Sequence, residues 1–491
     1  NIKKFRSRHN QDEFYLLCWL KIKNNHPPKT HTHKKAIMAP TKTTTTTKMD
    51  TTTEKEQEAV KNLNAKAMDI LKQVDDNLQK NATLAEQQRE YPTFSIQEIT
   101  IGKFLGVGGF GIVHDVTDIH LITLSKDGDT ETTTTTTTTV DNNNNSENNN
   151  NSNAQETTTK LDKNKKKEKK EAAPIEGECE EEDDQHYHLS TARQTMQERC
   201  IRNGVSRYAI KRLKDKLSPL EVARGAVDLA IEIKFLSVMW HPNIVKMRGY
   251  AAATDDAASF SSQQEEYRLP RSDNFIIMDR LYGTLEDRFH HWKQMKKANS
   301  GFFVCGCGQN SMVLHLLLKE RLTVLYDIAS ALRYMHKHQL IYRDIKMENI
   351  GFDVRDDVKV FDFGLTKCLS DSLRAKKTGA TTTNQRNKTA LLYNLTPLTG
   401  AIPYMAPEIV LSKPYNQQCD VFSFSILVWE ILSLKYAFYG YNFWDYKERV
   451  VKGKQRLPIS KSSWPNLIQS IITEGWREDP LQRPTMERVA T

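Results

Sequence analysis

Apolar residues along this chain follow two rhythms, separated by long stretches that follow neither. From Glu54 to Arg89, Val60, Leu63, Ala67, Ile70 and Val74 recur at three- and four-residue spacing, and no Pro or Gly appears until Pro92, so residues 54–93 are expected to hold a helix. Asn77 and Asn81 stand where the next seam residues of a heptad would fall, which favours a lone helix packed on a neighbour over a coiled coil. Strand-like runs occur at Ile99 to Leu105, Arg207 to Lys211 and Phe275 to Met278. Helical spacing returns from about Val222 to Met239, through Ala226, Leu229, Ile233, Leu236 and Val238, and again from Leu322 to His338. Between the first two strand runs, at about 117–205, lie Thr132 to Thr139, an Asn-rich tract at 142–153, the basic run Lys163 to Lys170 and the acidic run Glu176 to Asp184. Such a segment buries too little apolar surface to offset the entropy of ordering it, and the Lys-, His- and Thr-rich residues 1–53 are read as disordered for the same reason.

Composition agrees with that division. Of 491 residues 38% are apolar, below the ~45–50% of fully globular chains, so one compact domain over the whole length is excluded. The apolar run Phe14 to Leu20 falls far short of the roughly 20 residues that span a bilayer. Seven cysteines, at 18, 179, 200, 305, 307, 368 and 419, are odd in number and scattered, which fits a reducing compartment, the cytoplasm with the nucleus as alternative. Cys305 and Cys307 form C-x-C without the second pair a zinc site needs. The net charge of +9 comes from 70 basic and 61 acidic residues. An acidic stretch follows Lys163 to Lys170 closely enough to neutralise it, so the case for nucleic acid is weak. The first residue is Asn; the chain is expected to be a piece or a mis-started version of a longer one, with Met38 a plausible start.

The chemistry begins after the first strand run, at Gly106-Val107-Gly108-Gly109-Phe110-Gly111-Ile112-Val113, a G-x-G-x-x-G-x-V sequence with strand residues on both sides. Glycine there lets backbone N–H groups approach phosphate oxygens, as a lid over a nucleotide requires, although a Gly-rich hairpin is an equal explanation of these residues alone. A dinucleotide fold would place a helix after the glycines, whereas here a second strand follows. Past the insert, Lys211 stands in an otherwise apolar strand and Glu232 in the next helix; by themselves they read as solvent-facing charges. His241 to Val245 turn into another strand. Further on come Tyr342-Arg343-Asp344-Ile345-Lys346-Met347-Glu348-Asn349, then Phe361-Asp362-Phe363-Gly364, then Ala406-Pro407-Glu408.

Taken together, in this order and spacing, these elements resemble the signature of eukaryotic protein kinases from about Phe94 to the end. The resemblance implies an α+β, two-lobed fold with a small β-rich N-lobe and a large, mostly helical C-lobe, residues 94–491, with the insert in the N-lobe. It implies transfer of the γ-phosphoryl group of ATP to Ser or Thr hydroxyls of protein substrates, with a pseudokinase scaffold or a dual-specificity kinase as the alternatives. Lys211 would contact the phosphates and pair with Glu232, Asn349 and Asp362 would hold Mg2+, Asp344 would accept the hydroxyl proton, and Lys346 would steady the transferred group. The nucleotide would lie among Gly106, Val107, Gly108, Gly109, Phe110, Gly111, Val113, Ala209 and Lys211, with Met278 as gatekeeper and Asp279 to Leu281 as a hinge binding adenine through backbone groups. D-x-K at Asp344 to Lys346 resembles Ser/Thr kinases, and Asp420 to Glu430 (DVFSFSILVWE) resembles their tyrosine-kinase-like group. Arg483 would pair with Glu408.

Two positions depart from the family pattern. Gly351 replaces a leucine of the adenine floor, which is expected to leave that floor less filled. Ala401 replaces a threonine whose hydroxyl meets the catalytic Asp and Lys, Thr399 being the nearby hydroxyl. Arg343 before Asp344 resembles the kinases whose activation segment is ordered by phosphate, for which Thr389, Thr396 and Thr399 are candidates.

Overall fold

The structure, a computed structural model, describes residues 50–124, 130–132, 180–252, 274–299, 309–375 and 391–491. Most of the two tracts expected to be disordered, including Lys163 to Lys170, lies outside them, as do Cys18, Cys179, Cys305, Cys307 and Thr389. The chain divides into two units, His120–Glu198 and the remainder. The inserted unit holds a hairpin of β4 (Ile122–Leu124) with β5 (Thr130–Thr132) and the helix α3 (Glu180–Glu198). It is narrower than the expected 117–205. On one side the preceding strand runs on to Ile119; on the other, β6 (Ile201–Arg202) and β7 (Val205–Ser206) form a tight hairpin. Asn203 and Gly204 turn it with φ of 54° and 72°, the positive values a two-residue hairpin loop demands.

In the main unit a helix α1 (Asp50–Lys80) and a single turn α2 (Ala82–Ala85) precede a six-stranded sheet ordered β1 (Thr93–Phe94), β9 (Met247–Ala251), β10 (Phe275–Asp279), β8 (Tyr208–Leu213), β3 (Gly111–Ile119), β2 (Ile99–Val107). All neighbours run antiparallel except β1 with β9. Strand β8 sits between β3 and β10, placing Lys211 opposite Val113 on one side and Ile276 on the other. Helix α4 (Pro219–Val238) packs on this sheet. Its start is specified locally: Ser218 and Glu221 form a reciprocal capping box, and Pro219 at the first position costs no hydrogen bond.

The second lobe is helical, built from α5 (Leu285–Asn299), α6 (Gln309–Lys337), α7 (Pro407–Val410), α8 (Gln418–Ser433), α9 (Phe443–Asp445), α10 (Asn466–Gly475) and α11 (Met486–Val489). Short antiparallel ladders of β11 (Leu340–Ile341) with β14 (Lys367–Cys368), and β12 (Ile350–Phe352) with β13 (Val358–Val360), join these helices. Helix α8 is buried on every side from Cys419 to Leu432, its charged residues Asp420 and Glu430 satisfied by hydrogen bonds. Its C-terminal carbonyls are met by the Arg321 guanidinium, which donates to Ile431 and Leu432, and Leu434 ends it in the left-handed conformation at φ 57°. Arg483 and Glu408, both almost fully buried, meet in two parallel hydrogen bonds of 2.6 and 2.7 Å. Among the described residues no helix is long and apolar enough to cross a membrane.

Candidate active site

The glycine-rich sequence is the turn between β2 and β3, closed by the Gly108 N–H donating to the Gly111 carbonyl at 2.9 Å. A Cβ built on Gly106 or Gly109 would meet no protein atom within 4 Å, so packing within the chain does not demand glycine there. What the missing side chains provide is exposed backbone N–H, the property a phosphate lid needs. Phe110 turns elsewhere: its side chain lies against Gly225 of α4, where a Cβ would sit 2.7 Å from the Phe110 Cβ. Val107 is exposed, Val113 half-buried and Ala209 buried.

Beneath the turn, the Lys211 amine reaches Glu232 on α4 at 2.5 Å and Asp362 at 3.1 Å. Burial works against the charged amine, yet the two carboxylates outweigh it and raise its pKa. The same cation, more than any other group, holds Asp362 below the usual carboxylate range. Burial pushes the Glu232 carboxyl up, against the pull of Lys211. One turn before Glu232, Asp228 faces the same space, and burial together with Asp362 raises its carboxyl to about 7. Asp362 itself sits at φ 66° and its neighbour Phe363 is fully buried, edge-on to Tyr342 at 5.5 Å.

Tyr342 and Arg343, at the start of the catalytic loop, are fixed by Asp420, fully buried at the head of α8, which accepts from both their N–H groups at 2.9 and 2.8 Å and meets His336 Nε2 at 2.9 Å. Arg343 adopts φ 69°, so two non-glycine residues hold left-handed backbone within this site, the kind of local strain that surrounding contacts must hold in place. The Asp344 Oδ2 accepts from Lys346 Nζ at 2.5 Å and Asn349 Nδ2 at 2.7 Å. Its Oδ1 is buried without a partner. A buried carboxylate oxygen left unsatisfied is costly, and here it is an acceptor in reserve beside a lysine. Asp344 outweighs the effect of burial on Lys346 and raises its pKa.

Met278 is buried at the end of β10, opposite Ala209. The Asp279 carboxylate is occupied by a bidentate pair with Arg248 at 2.7 and 3.0 Å. Leu281 lies beside Gly351. A Cβ on Gly351 would lie 2.7 Å from Leu281 Cδ1 and 3.1 Å from the Gly283 carbonyl oxygen. Leu281 therefore occupies the space that a side chain at 351 would need, and glycine there makes room for it. At Ala401 the nearby hydroxyl does not substitute: Thr399 Oγ1 donates to the Thr396 and Pro397 carbonyls at 3.1 and 3.2 Å. Gly400 is required where it stands, with φ 102° and a Cβ position 2.6 Å from the Arg343 carbonyl. Arg343 has partners without phosphate, since its Nε donates to the Leu365 carbonyl at 2.7 Å and an Nη to the Tyr415 hydroxyl at 3.1 Å.

A family model for the protein kinase domain matches residues 194–491, more than half of the chain. The chain belongs to the protein kinase family. The match begins after the insert, and it is the pairing of β3 with β8 that joins the glycine-rich hairpin to the rest of the domain. The chain is 28% identical over 172 residues to the serine/threonine-protein kinase STY17 of Arabidopsis thaliana, which is 35% of this chain and 26% of that protein. It is 29% identical over 174 residues to the serine/threonine/tyrosine-protein kinase HT1 of the same plant, covering 35% and 39%. To mitogen-activated protein kinase kinase kinase 13-A of Xenopus laevis it is 28% identical over 189 residues, covering 38% and 18%. HT1 and the Xenopus kinase are of the tyrosine-kinase-like group. The chain spans about a quarter of the length of the first curated relatives it matches.

Of the residues picked from sequence, the structure gathers Lys211, Glu232, Asp362, Asp344, Lys346 and Asn349 into hydrogen-bonded groups. It sets Phe110 against Gly225 and pairs the Asp279 side chain with Arg248, leaving the backbone role expected of Asp279 untouched. Asp228 escaped the sequence reading, although its place four residues before Glu232 puts it on the same helix face. Asp420 was visible only as the start of a helix; its role as anchor for the catalytic loop depends on contacts across 77 and 78 positions.

Proposed function

We propose that this kinase domain transfers the γ-phosphoryl group of ATP to Ser or Thr hydroxyls of protein substrates. The observation that carries the reading is Asp344, with one carboxylate oxygen clamped by Lys346 and Asn349 and the other buried without a partner. Such an oxygen can accept a hydroxyl hydrogen bond and then its proton, while the clamp fixes the carboxylate's direction. Lys346 supplies a cation next to that oxygen for charge developing on the transferred group. Lys211, held by Glu232, offers its remaining donor capacity to phosphate oxygens under the glycine turn.

Asp362 and the amide oxygen of Asn349 are hard oxygen donors suited to Mg2+, and both amide N–H bonds of Asn349 to Asp344 leave that oxygen to other use. When bound, the ion would supply positive charge to neutralise the phosphate groups. Three buried thiols, Cys200, Cys368 and Cys419, all free, support placing the chain in a reducing compartment, the cytoplasm or nucleus.

The test is transfer from labelled ATP with magnesium to a basic protein, wild type against Asp344→Asn. The expected result is label on Ser or Thr and a loss of roughly 100-fold or more in the variant. Equal transfer by both would refute the assignment of the base, and ATP binding without transfer by either would make the chain a pseudokinase. Label on Tyr as well would select the dual-specificity reading, which Ala401 favours because it removes a hydroxyl from beside Asp344.

A further inference from the structure

We propose that α1 and the segment after it, residues 62–89, form a strap that holds α4 with Glu232 turned inward, and that Asp75 is a positioning residue for the reaction. The proposal rests on the kinase reading above. Helix α1 packs along α4, burying Ala67, Leu71, Val74 and Leu78. Ile70, expected on the apolar stripe, is half-buried beside it, and the side chains of Val60 and Leu63 lie outside the described residues. The Asp75 carboxylate meets the amine of Lys234 at 2.6 Å, two residues beyond Glu232.

The same segment then ties α4 to the other lobe. Asn81 Nδ2 donates to the His338 carbonyl at 2.8 Å, and the Gln87 side-chain oxygen accepts from the Tyr334 hydroxyl at 2.7 Å. Cys368, six residues past Asp362, places its Sγ 3.8 Å from the Asn77 carbonyl. The Arg89 N–H donates to Ser237 near the end of α4, and its guanidinium lies 3.6 Å over the Trp240 ring. One short stretch of chain thus touches the helix carrying Glu232, the strand after Asp362 and the helix leading to the catalytic loop.

The inner face of α4 shows why such a tie is needed. Glu232 and Asp362 meet there at Lys211, whose amine pairs with both. The hold on Glu232 from this side is thus a lysine that it shares with Asp362. No phosphate is needed to satisfy Arg343, which already has its partners in Leu365 and Tyr415. On the outer face of α4, α1 and the Asp75–Lys234 pair add a second hold to that of Lys211 and the sheet.

The experiment compares wild type, Asp75→Lys, and the charge swap Asp75→Lys with Lys234→Asp, by amide hydrogen exchange across residues 226–236 and by steady-state kinetics. Reversing the charge should speed exchange in α4 by roughly tenfold and lower kcat, with KM for the peptide unchanged, and the swap should restore both. A merely structural role would lower the melting temperature and leave kcat unaltered well below it. Exchange within twofold of wild type in Asp75→Lys, or no recovery in the swap, overturns the strap; faster exchange with unchanged kcat overturns its part in positioning. If wild type itself transfers no phosphate, the kinase reading fails separately, and the exchange measurements still decide whether the strap holds α4.

Discussion

Replacing Gly351 with leucine restores the residue common in the family, and the structure makes a definite statement about the outcome. A Cβ at 351 would lie 2.7 Å from Leu281 Cδ1 and 3.1 Å from the Gly283 carbonyl, whereas non-bonded carbons sit at about 3.5–4.0 Å. The hinge leucine must therefore withdraw by about 1 Å before any further atom of the new side chain is placed. Overpacking of this kind costs roughly 1–3 kcal/mol. Felt at the hinge, that weakens ATP binding by about 5- to 150-fold. Titration calorimetry with ATP and magnesium would read it directly. Combining Gly351→Leu with Leu281→Ala moves the leucine side chain from hinge to floor and should bring affinity back to near that of wild type. If Gly351→Leu alone binds ATP as tightly as wild type or more tightly, the floor is unfilled and the argument from Leu281 is wrong.

Two further outcomes follow from buried charge. Arg483→Met leaves the Glu408 carboxylate, which is 4% exposed, without its two hydrogen bonds, and denaturant unfolding should show a loss of about 3–5 kcal/mol. Asp228 titrates near 7 in the folded chain against an ordinary 3.8, so the folded state holds its proton more firmly than the unfolded state. Relative to Asp228→Asn, wild type should therefore lose stability as pH rises from about 4 to about 7 and by a constant amount above that. Melting curves of the two proteins that run parallel across this range would refute the placement of Asp228 beside Asp362.

The order of motifs along the chain already names the protein kinase family and brings out the residues that the structure gathers into hydrogen-bonded groups. Glycine turn, Lys211, Glu232, Asp344, Asn349 and Asp362 are each ambiguous alone, but their order along the chain is itself information, because one lobe after another must supply them. Local rules also placed element ends, as with the capping box at Ser218 and Glu221. The tertiary structure decided what depends on distance in space between residues far apart in the chain. That Leu281 fills the volume a leucine at 351 would take is a matter of side-chain contact across 70 positions. That Arg343 meets Tyr415, and that Asp420 anchors the catalytic loop, follows from α8 lying beneath it. The pattern of α1 foretold a helix packed on a neighbour, but periodicity names no neighbour. Only folding shows that its apolar stripe and Asp75 fall on α4, because the free energy of that contact belongs to two surfaces at once.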